Sequence, residues 1–288
     1  YIPGNNPAML NNAGVYGADV IVFDLEDSVA LREKDAARAL VAGALSKPEL
    51  INPNSAEVMV RINGLDTPFA KADLEAIVPA RPHSLRLPKA ISKDTVLELV
   101  KLLEEIEKSA GLDYEIEISP ILETVAGVSN AAEIAAAHPR VTALSFGAED
   151  FTRDLGTSRT KEGSELRHAR GAIVLAAKAA GIQAIDTVFP DVMDTDGLTK
   201  ETKAVRQLGF DGKSIIHPRQ IDTIHSIFRP SEEEIKQALA IEKALAEAEE
   251  KGLGVASLDG RMIDSPVAKK ANNVLILARR LGLAEGDK

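Results

Sequence analysis

The 288-residue chain is 45% apolar and carries 34 basic against 44 acidic residues, a formal net charge of −10. That is enough apolar material for one large domain or two small ones, and the acidic balance excludes a general nucleic-acid or anionic-membrane binder, because phosphate-rich partners need a basic surface. With no Cys there are no disulfides and no thiolate metal sites, and no apolar run reaches the roughly 18 residues of a membrane span; a reducing cytoplasm is the expected location, while Tyr1, not an initiator Met, leaves room for an upstream segment.

Short β-rich runs recur with helical patterns between them. The opening "YIPG" reads as the tail of a strand, followed by Asn6 as a helix N-cap and Pro7 at the first helical position, where proline is tolerated. Next comes "ADVIVFDLEDSV", residues 18–29. Val20, Ile21, Val22 and Phe23 are too few and too β-branched for a helix, so they read as a strand buried on both faces and ending in Asp24, Glu26 and Asp27. Further strands are expected at "VMVRIN" (58–63), "LRLPK" (85–89), "ISPILE" (118–123), "ALSFG" (143–147), "AIDTV" (184–188) and "KSIIHP" (213–218). Of the helices between them, residues 31–45 put Leu31, Ala36, Leu40 and Leu45 near one face, and a helix ending at Gly111 places Val96, Leu99, Leu103 and Ile106 at helical spacing. Eight such βα units over residues 1–228 predict an α/β fold, a (β/α)8 TIM barrel, with a doubly wound open sheet as runner-up. Neither G-x-G-x-x-G nor G-x-x-x-x-G-K occurs to support a nucleotide-binding open sheet.

After residue 228 the pattern changes. Ser231 and Glu234 form a capping box that opens a long charged helix ending near Gly252. Asp259-Gly260 between two short runs signals a hairpin with a type I′ turn, and Ser265 and Pro266 start a last helix through about Leu281. This helix, hairpin and helix, residues 229–288, carries little apolar surface for a core of its own and is expected to pack on the barrel or on a neighbouring subunit.

In a barrel of this type, reacting groups gather at the C-terminal ends of the strands. There the chain places Asp24, Glu26, Asp27, Arg61, Arg86, Lys89, Glu123, Glu149, Asp150 and Asp186. Converging carboxylates repel and raise one another's pKa, so the cluster points to a divalent cation, and oxygen-only ligands favour Mg²⁺ over Zn²⁺. Glu123 and Asp150 are the expected metal ligands, because "ILE" and "FGAED" end consecutive strands that lie about 4.8 Å apart. Glu26 and Asp27 are then expected to hold metal-bound water, against the plainer reading that Asp27 or Ser28 caps the next helix. A cation at the end of an apolar strand is costly unless paired, so Arg61 either grips a substrate carboxylate bidentately, the favoured role, or neutralises Asp24. Lys89 is read as solvated or ion-paired, with a Schiff base as the rival chemistry, and the five histidines show no ligand spacing. The charge run 152–170, with Arg153, Arg159, Lys161, Arg167 and Arg170, reads as a solvated face in its helical half and as a place for a phosphate group in its loop half.

The stretches "IPGNNPAMLNNAGVYGADVIVFDLEDSVALREKDAAR", "VRIN", "RLPK", "ILET", "FGAEDF", "GIQAIDTVF" and "LGFDGKSIIHPRQI" resemble the citrate lyase β-subunit type within the HpcH/HpaI aldolase and citrate lyase superfamily, over essentially the whole chain. The resemblance implies a Mg²⁺-dependent carbon–carbon lyase acting on acyl thioesters, with Glu123 and Asp150 on the metal, Glu26 and Asp27 holding its water and Arg61 binding a substrate carboxylate. It also implies a homo-oligomer in which Asp264, after the hairpin, reaches the active site of an adjacent subunit, where it is the candidate for one proton transfer, against the plainer reading that Asp264 and Ser265 cap the final helix. The implied reaction is retro-Claisen cleavage of a citryl thioester, on coenzyme A or an acyl carrier protein, to oxaloacetate and an acetyl thioester, in company with citrate lyase α and acyl-carrier subunits. Cleavage of malyl-CoA, citramalyl-CoA or another β-hydroxyacyl-CoA is the alternative, and a subunit that mainly docks an acyl carrier protein is the alternative of another class. Unlike the pyruvate aldolases of the superfamily, the chain has no His at the end of its second strand and carries the C-terminal extension, which favours the thioester branch.

Overall fold

Apolar runs of four to six residues alternating with amphipathic stretches favour strands side by side in a parallel sheet buried on both faces, with helices packed against it. The computed structural model describes residues 1–47, 56–250, 256–258 and 260–284. The chain divides into two units, Tyr1–Ile224 and His225–Lys288, with the division inside the helix Ile221–Phe228.

In the first unit β1 (Ile2–Pro3), β2 (Val20–Asp24), β3 (Glu57–Arg61), β4 (Ser84–Leu87), β5 (Glu117–Leu122), β6 (Ala143–Phe146), β7 (Gln183–Asp186) and β8 (Gly212–Lys213) lie in sequence order in one sheet. Each pairs parallel with the next. Consecutive residues such as Ile21, Val22 and Phe23 are all buried, as a sheet covered on both faces requires. Among the described residues no ladder joins β8 to β1, but the backbone nitrogen of Tyr1 donates to the carbonyl of Ile215, just past β8, at 2.8 Å. β8 is shorter than the run 213–218 predicts. Lys213 turns its head back to Asp186 and Thr187, and the Ile216 amide donates to the Gln220 side chain, so the chain leaves the sheet after Lys213.

The helix ends follow their capping residues. Asn6 accepts from the Met9 amide at the start of Pro7–Asn11, and Gly111, at φ 63°, closes Lys93–Ala110. In that longer helix Val96, Leu99 and Leu103 are buried, but the stripe continues through Glu107 and leaves Ile106 half-buried, because Arg140 donates to both Glu107 oxygens at 2.7 Å. For residues 31–45 the expected face is rotated. The helix is Lys34–Leu45, with Lys34, Ala37, Val41 and Leu45 buried and Leu31 and Leu40 exposed. The Lys34 ammonium donates to the carbonyls of Leu25 (2.7 Å) and Glu26 (2.6 Å), which fixes that rotation and turns small Ala37 inward.

In the second unit the Ser231/Glu234 capping box forms both of its reciprocal bonds, at 2.8 and 3.1 Å, at the start of Glu232–Glu250. β9 (Ala256–Leu258) pairs antiparallel with β10 (Arg261–Ile263), and the helix Ser265–Arg280 follows. Gly252, where the long helix is expected to end, and Asp259, half of the expected type I′ turn, lie outside the described residues. The unit has a core of its own in Ala238, Ile241, Ala256, Ile263, Ala271 and Leu275, which corrects the expectation of too little apolar surface. Alanines at facing positions let two helices approach closely and bury area that a count of large side chains overlooks.

Candidate active site

Sheet register brings Asp24 beside Arg61, and Arg61 beside Arg86, at the C-terminal ends of β2, β3 and β4. Asp24 is 1% exposed and accepts from the Glu26 amide (2.9 Å), the Ser28 amide (3.1 Å) and the Ser28 hydroxyl (2.5 Å). It also accepts bidentately from Arg61 Nε and Nη2, both at 2.6 Å. Burial pushes its carboxyl up, but Arg61 and Ser28 outweigh burial and hold it below the ordinary range. Asp24 thus folds the acidic turn around itself, and Lys34 fixes the same turn from the carbonyl side. Neither Asp27 nor Ser28 caps a helix; the next helical turns begin only at Leu31. For Arg61 the structure shows the neutralising role. Its Nη1 lies 3.1 Å from Glu26 and 3.3 Å from Asp27, so a substrate carboxylate would meet that one edge.

Leu122 and Phe146 are in register across β5 and β6, which sets Glu123 and Gly147 side by side. Asp150 is not at a strand end, as expected, but in the first turn of the helix Ala148–Asp154. Even so, Glu123 and Asp150 line one cavity of about 270 Å³, together with Lys89, Thr124, Arg153 and Asp154. Lys89 adopts φ 49°, a left-handed conformation uncommon for a residue with a side chain, and this aims its amide at Glu123 Oε1 (2.7 Å). Its ammonium lies 3.4 Å from Glu26 Oε1, so Lys89 links the β2 turn to the β5 carboxylate. Burial lowers the Lys89 pKa, but Glu26 outweighs it and favours the ammonium, the opposite of what a Schiff-base nucleophile needs. Burial and then the charge of Asp150 push Glu123 up to about 7 against the Lys89 amide, and burial with a hydrogen bond to Asp27 pushes Glu26 up to about 7.

Buried carboxylates held toward their neutral forms in this way are a donor set that a hard cation relieves. Among the described residues no three His, Cys, Asp or Glu side chains gather around one point. Glu123 and Asp150 are the pair that could hold Mg²⁺, which takes one or two protein carboxylates and keeps its other positions for water and substrate oxygens. Gly147 makes room for the arrangement, since a Cβ there would stand 2.6 Å from both Cβ and Oε2 of Glu123. Gly147→Ala is therefore expected to displace Glu123 and weaken Mg²⁺ binding by roughly tenfold or more, read by isothermal titration. Unchanged affinity would remove Glu123 from the ligand set.

Asp186 does not line this cavity. It accepts from Arg170 Nε (2.8 Å) and Nη2 (3.0 Å) and from Lys213 Nζ (2.6 Å), whose side chain is 0% exposed and also reaches Glu201 at 2.6 Å. Burial pushes Asp186 up, but Lys213 and Arg170 outweigh it and hold the carboxyl below its ordinary range. The solvated-face reading of Arg170 is thereby corrected, because a buried carboxylate at the end of β7 draws the guanidinium inward. Arg159 likewise donates to Glu149 (2.7 Å) and to the Val188 carbonyl (2.8 Å), partners that occupy the fork a phosphate group would need. In the second unit Asp264 is exposed, and its Oδ1 accepts from the Val267 amide at 3.0 Å as the N-cap of Ser265–Arg280. Sequence reasoning missed Lys34, Lys213 and Gly147. A lone cation inside an apolar stripe or strand is a usable signal for the two lysines; a glycine directly after a strand is a faint one.

Parallel strands in sequence order, with carboxylates and cations at their C-terminal ends, define the class as an α/β enzyme. The family model described as HpcH/HpaI aldolase/citrate lyase matches residues 1–218, and the chain belongs to that family. It is 45% identical over 288 residues to the citrate lyase subunit beta of Leuconostoc mesenteroides subsp. cremoris, covering 100% of this chain and 94% of the relative. Among solved structures, the CitE protein of Mycobacterium tuberculosis in complex with magnesium, acetoacetate and coenzyme A is 34% identical, with a TM-score of 0.75 over 96% of this chain and 95% of that one. The citrate lyase beta subunit of M. tuberculosis complexed with oxaloacetate and magnesium is 35% identical, with a TM-score of 0.67 over 79% and 94% of the two chains. Among the described residues no helix is long and apolar enough to cross a membrane.

Proposed function

We propose that this chain is a Mg²⁺-dependent carbon–carbon lyase that cleaves a citryl thioester, on coenzyme A or an acyl carrier protein, to oxaloacetate and an acetyl thioester. The observation that carries the reading is the meeting of Glu123 and Asp150 at one cavity, tied through Lys89 and Glu26 to Arg61. The citrate lyase relative and the magnesium-bearing structures support it. The hydrogen bond from Tyr1 to Ile215 supports closing the sheet into a (β/α)8 barrel, with residues 229–288 as a helix–hairpin–helix extension. Work as a homo-oligomer in the cytoplasm, alongside α and acyl-carrier subunits, belongs to the same reading.

Held by Glu123 and Asp150, magnesium would supply a Lewis acid that favours ionisation of the substrate hydroxyl and anchors a neighbouring carboxylate. Glu26 and Asp27 hold water at the rim, and Arg61 Nη1 orients a substrate carboxylate. A base removes the hydroxyl proton; the carbon–carbon bond breaks with its electron pair passing into the thioester as an enolate; an acid returns a proton to that carbon. Asp264 of a neighbouring subunit serves one of the two transfers. Mixing inactive Asp264→Ala chains with inactive Glu123→Ala chains is then expected to restore activity in mixed oligomers, and no recovery after verified subunit exchange would leave Asp264 a helix cap alone.

Steady-state assay of the purified chain against citryl-, malyl- and citramalyl-CoA tests the whole reading. Release of oxaloacetate from citryl-CoA, abolished by EDTA, is the expected result. Faster turnover of malyl- or citramalyl-CoA would reassign the acyl group. Cleavage that survives EDTA and is trapped by borohydride would point to Lys89, and turnover confined to carrier-bound substrate with the other subunits present would make docking the main role.

A further inference from the structure

The cations around the candidate site differ in how far they are committed. Arg61 is surrounded by Asp24, Glu26 and Asp27, and the ammonium of Lys89, a side chain 43% exposed, lies 3.4 Å from Glu26. Arg153 stands apart from them. It sits one helical turn past Asp150 on the cavity wall, its side chain is 75% exposed, and it pairs with Asp150 Oδ1 at 2.8 Å through Nη2. Its neighbour Asp154 is taken up by the Val125 amide at 2.7 Å. A guanidinium offers five donors in a planar fork, so one monodentate contact leaves Arg153 able to accept a second carboxylate at the cavity mouth.

We propose that Arg153 is a specificity-determining residue that receives the substrate carboxylate distinguishing a citryl group from a malyl or citramalyl group. This rests on the lyase reading and extends it to the choice of acyl group. A citryl thioester carries two free carboxylates, whereas malyl and citramalyl thioesters carry one. A cavity already walled by Glu123, Asp150 and Asp154 repels a second carboxylate unless a cation meets it. Arg153 and Lys89 are both exposed cations on that wall, but the planar fork of Arg153 matches a carboxylate in a way that the point charge of Lys89 does not. Both carboxylates remain on the oxaloacetate product, so the contact acts before and after bond cleavage alike.

Malate and lactate test this without turnover, because they are stable, reduced counterparts of oxaloacetate and pyruvate and differ in the carboxylate at issue. Binding of each to the Mg²⁺-loaded protein is measured by isothermal titration for the wild type, Arg153→Lys and Arg153→Ala. The wild type is expected to prefer malate by about tenfold, the order of one charge-assisted hydrogen bond. Arg153→Ala should lose that preference, with the larger loss falling on malate, and Arg153→Lys should retain part of it. A wild type that binds the two acids equally, an Arg153→Ala protein that keeps its preference, or an equal weakening toward both acids would each overturn the assignment. Failure of the wild type to cleave citryl-CoA would instead refute the lyase reading, and the malate preference is scored independently of it.

Discussion

Replacing Glu123 by Gln, or Asp150 by Asn, is expected to lower kcat/KM for citryl thioester cleavage by roughly a thousandfold, equivalent to about 4 kcal/mol of transition-state stabilisation. Each amide keeps the size of the carboxylate and loses its charge, so the deficit reports on cation binding and not on packing. The accompanying stability change has the opposite sign. Burial and Asp150 push the Glu123 carboxyl up to about 7, above its unfolded value, so its ionised form weakens the fold wherever the pH exceeds that value and no cation is present. In EDTA at pH 8, Glu123→Gln is therefore expected to melt no lower than the wild type, as followed by circular dichroism. Normal turnover by either variant would sink the metal assignment.

Lys213→Met is expected to destabilise the protein by about 3 kcal/mol, because it leaves Asp186 buried with Arg170 as its remaining cationic partner. The pH dependence follows from the depressed carboxyl. Asp186 ionises at lower pH in the folded than in the unfolded chain, so its contribution is complete above the unfolded value of about 4 and is lost as the pH falls through the lower folded value. Urea midpoints between pH 3 and 7 should show this loss in the wild type and a shallower one in Lys213→Met, where the principal cause of the depression is gone. Equal midpoints at pH 7 would show that an apolar side chain replaces the buried ammonium without loss.

Much of this is legible in the sequence itself. The strands are, because runs such as Val20–Phe23 are too short and too β-branched to favour a helix. Glu123 and the acidic β2 turn are legible because a charge directly after an apolar strand has few structural excuses. What escaped was the choice of partner. No local pattern tells whether Arg61 meets a substrate or Asp24, or that Arg170 leaves a charged run for a buried Asp186 across the sheet. Nor does any composition rule place a lysine at φ 49°, as Lys89 is, since that backbone conformation is fixed by the Glu123 carboxylate it serves. The helix over residues 34–45 shows the same limit, its face being set by two carbonyls of a neighbouring turn.

The strict sequence order of the eight strands also bears on how the chain is made. Every strand from β2 to β7 takes both its partners from the segments synthesised just before and just after it, so only the meeting of the Tyr1 and Ile215 segments waits for something far along the chain. On the ribosome each new βα unit can cover the edge left by the last one within a time on the order of seconds. An unpaired parallel edge is the part of such a molecule most prone to recruit a stranger, and here its lifetime is set by the rate of translation.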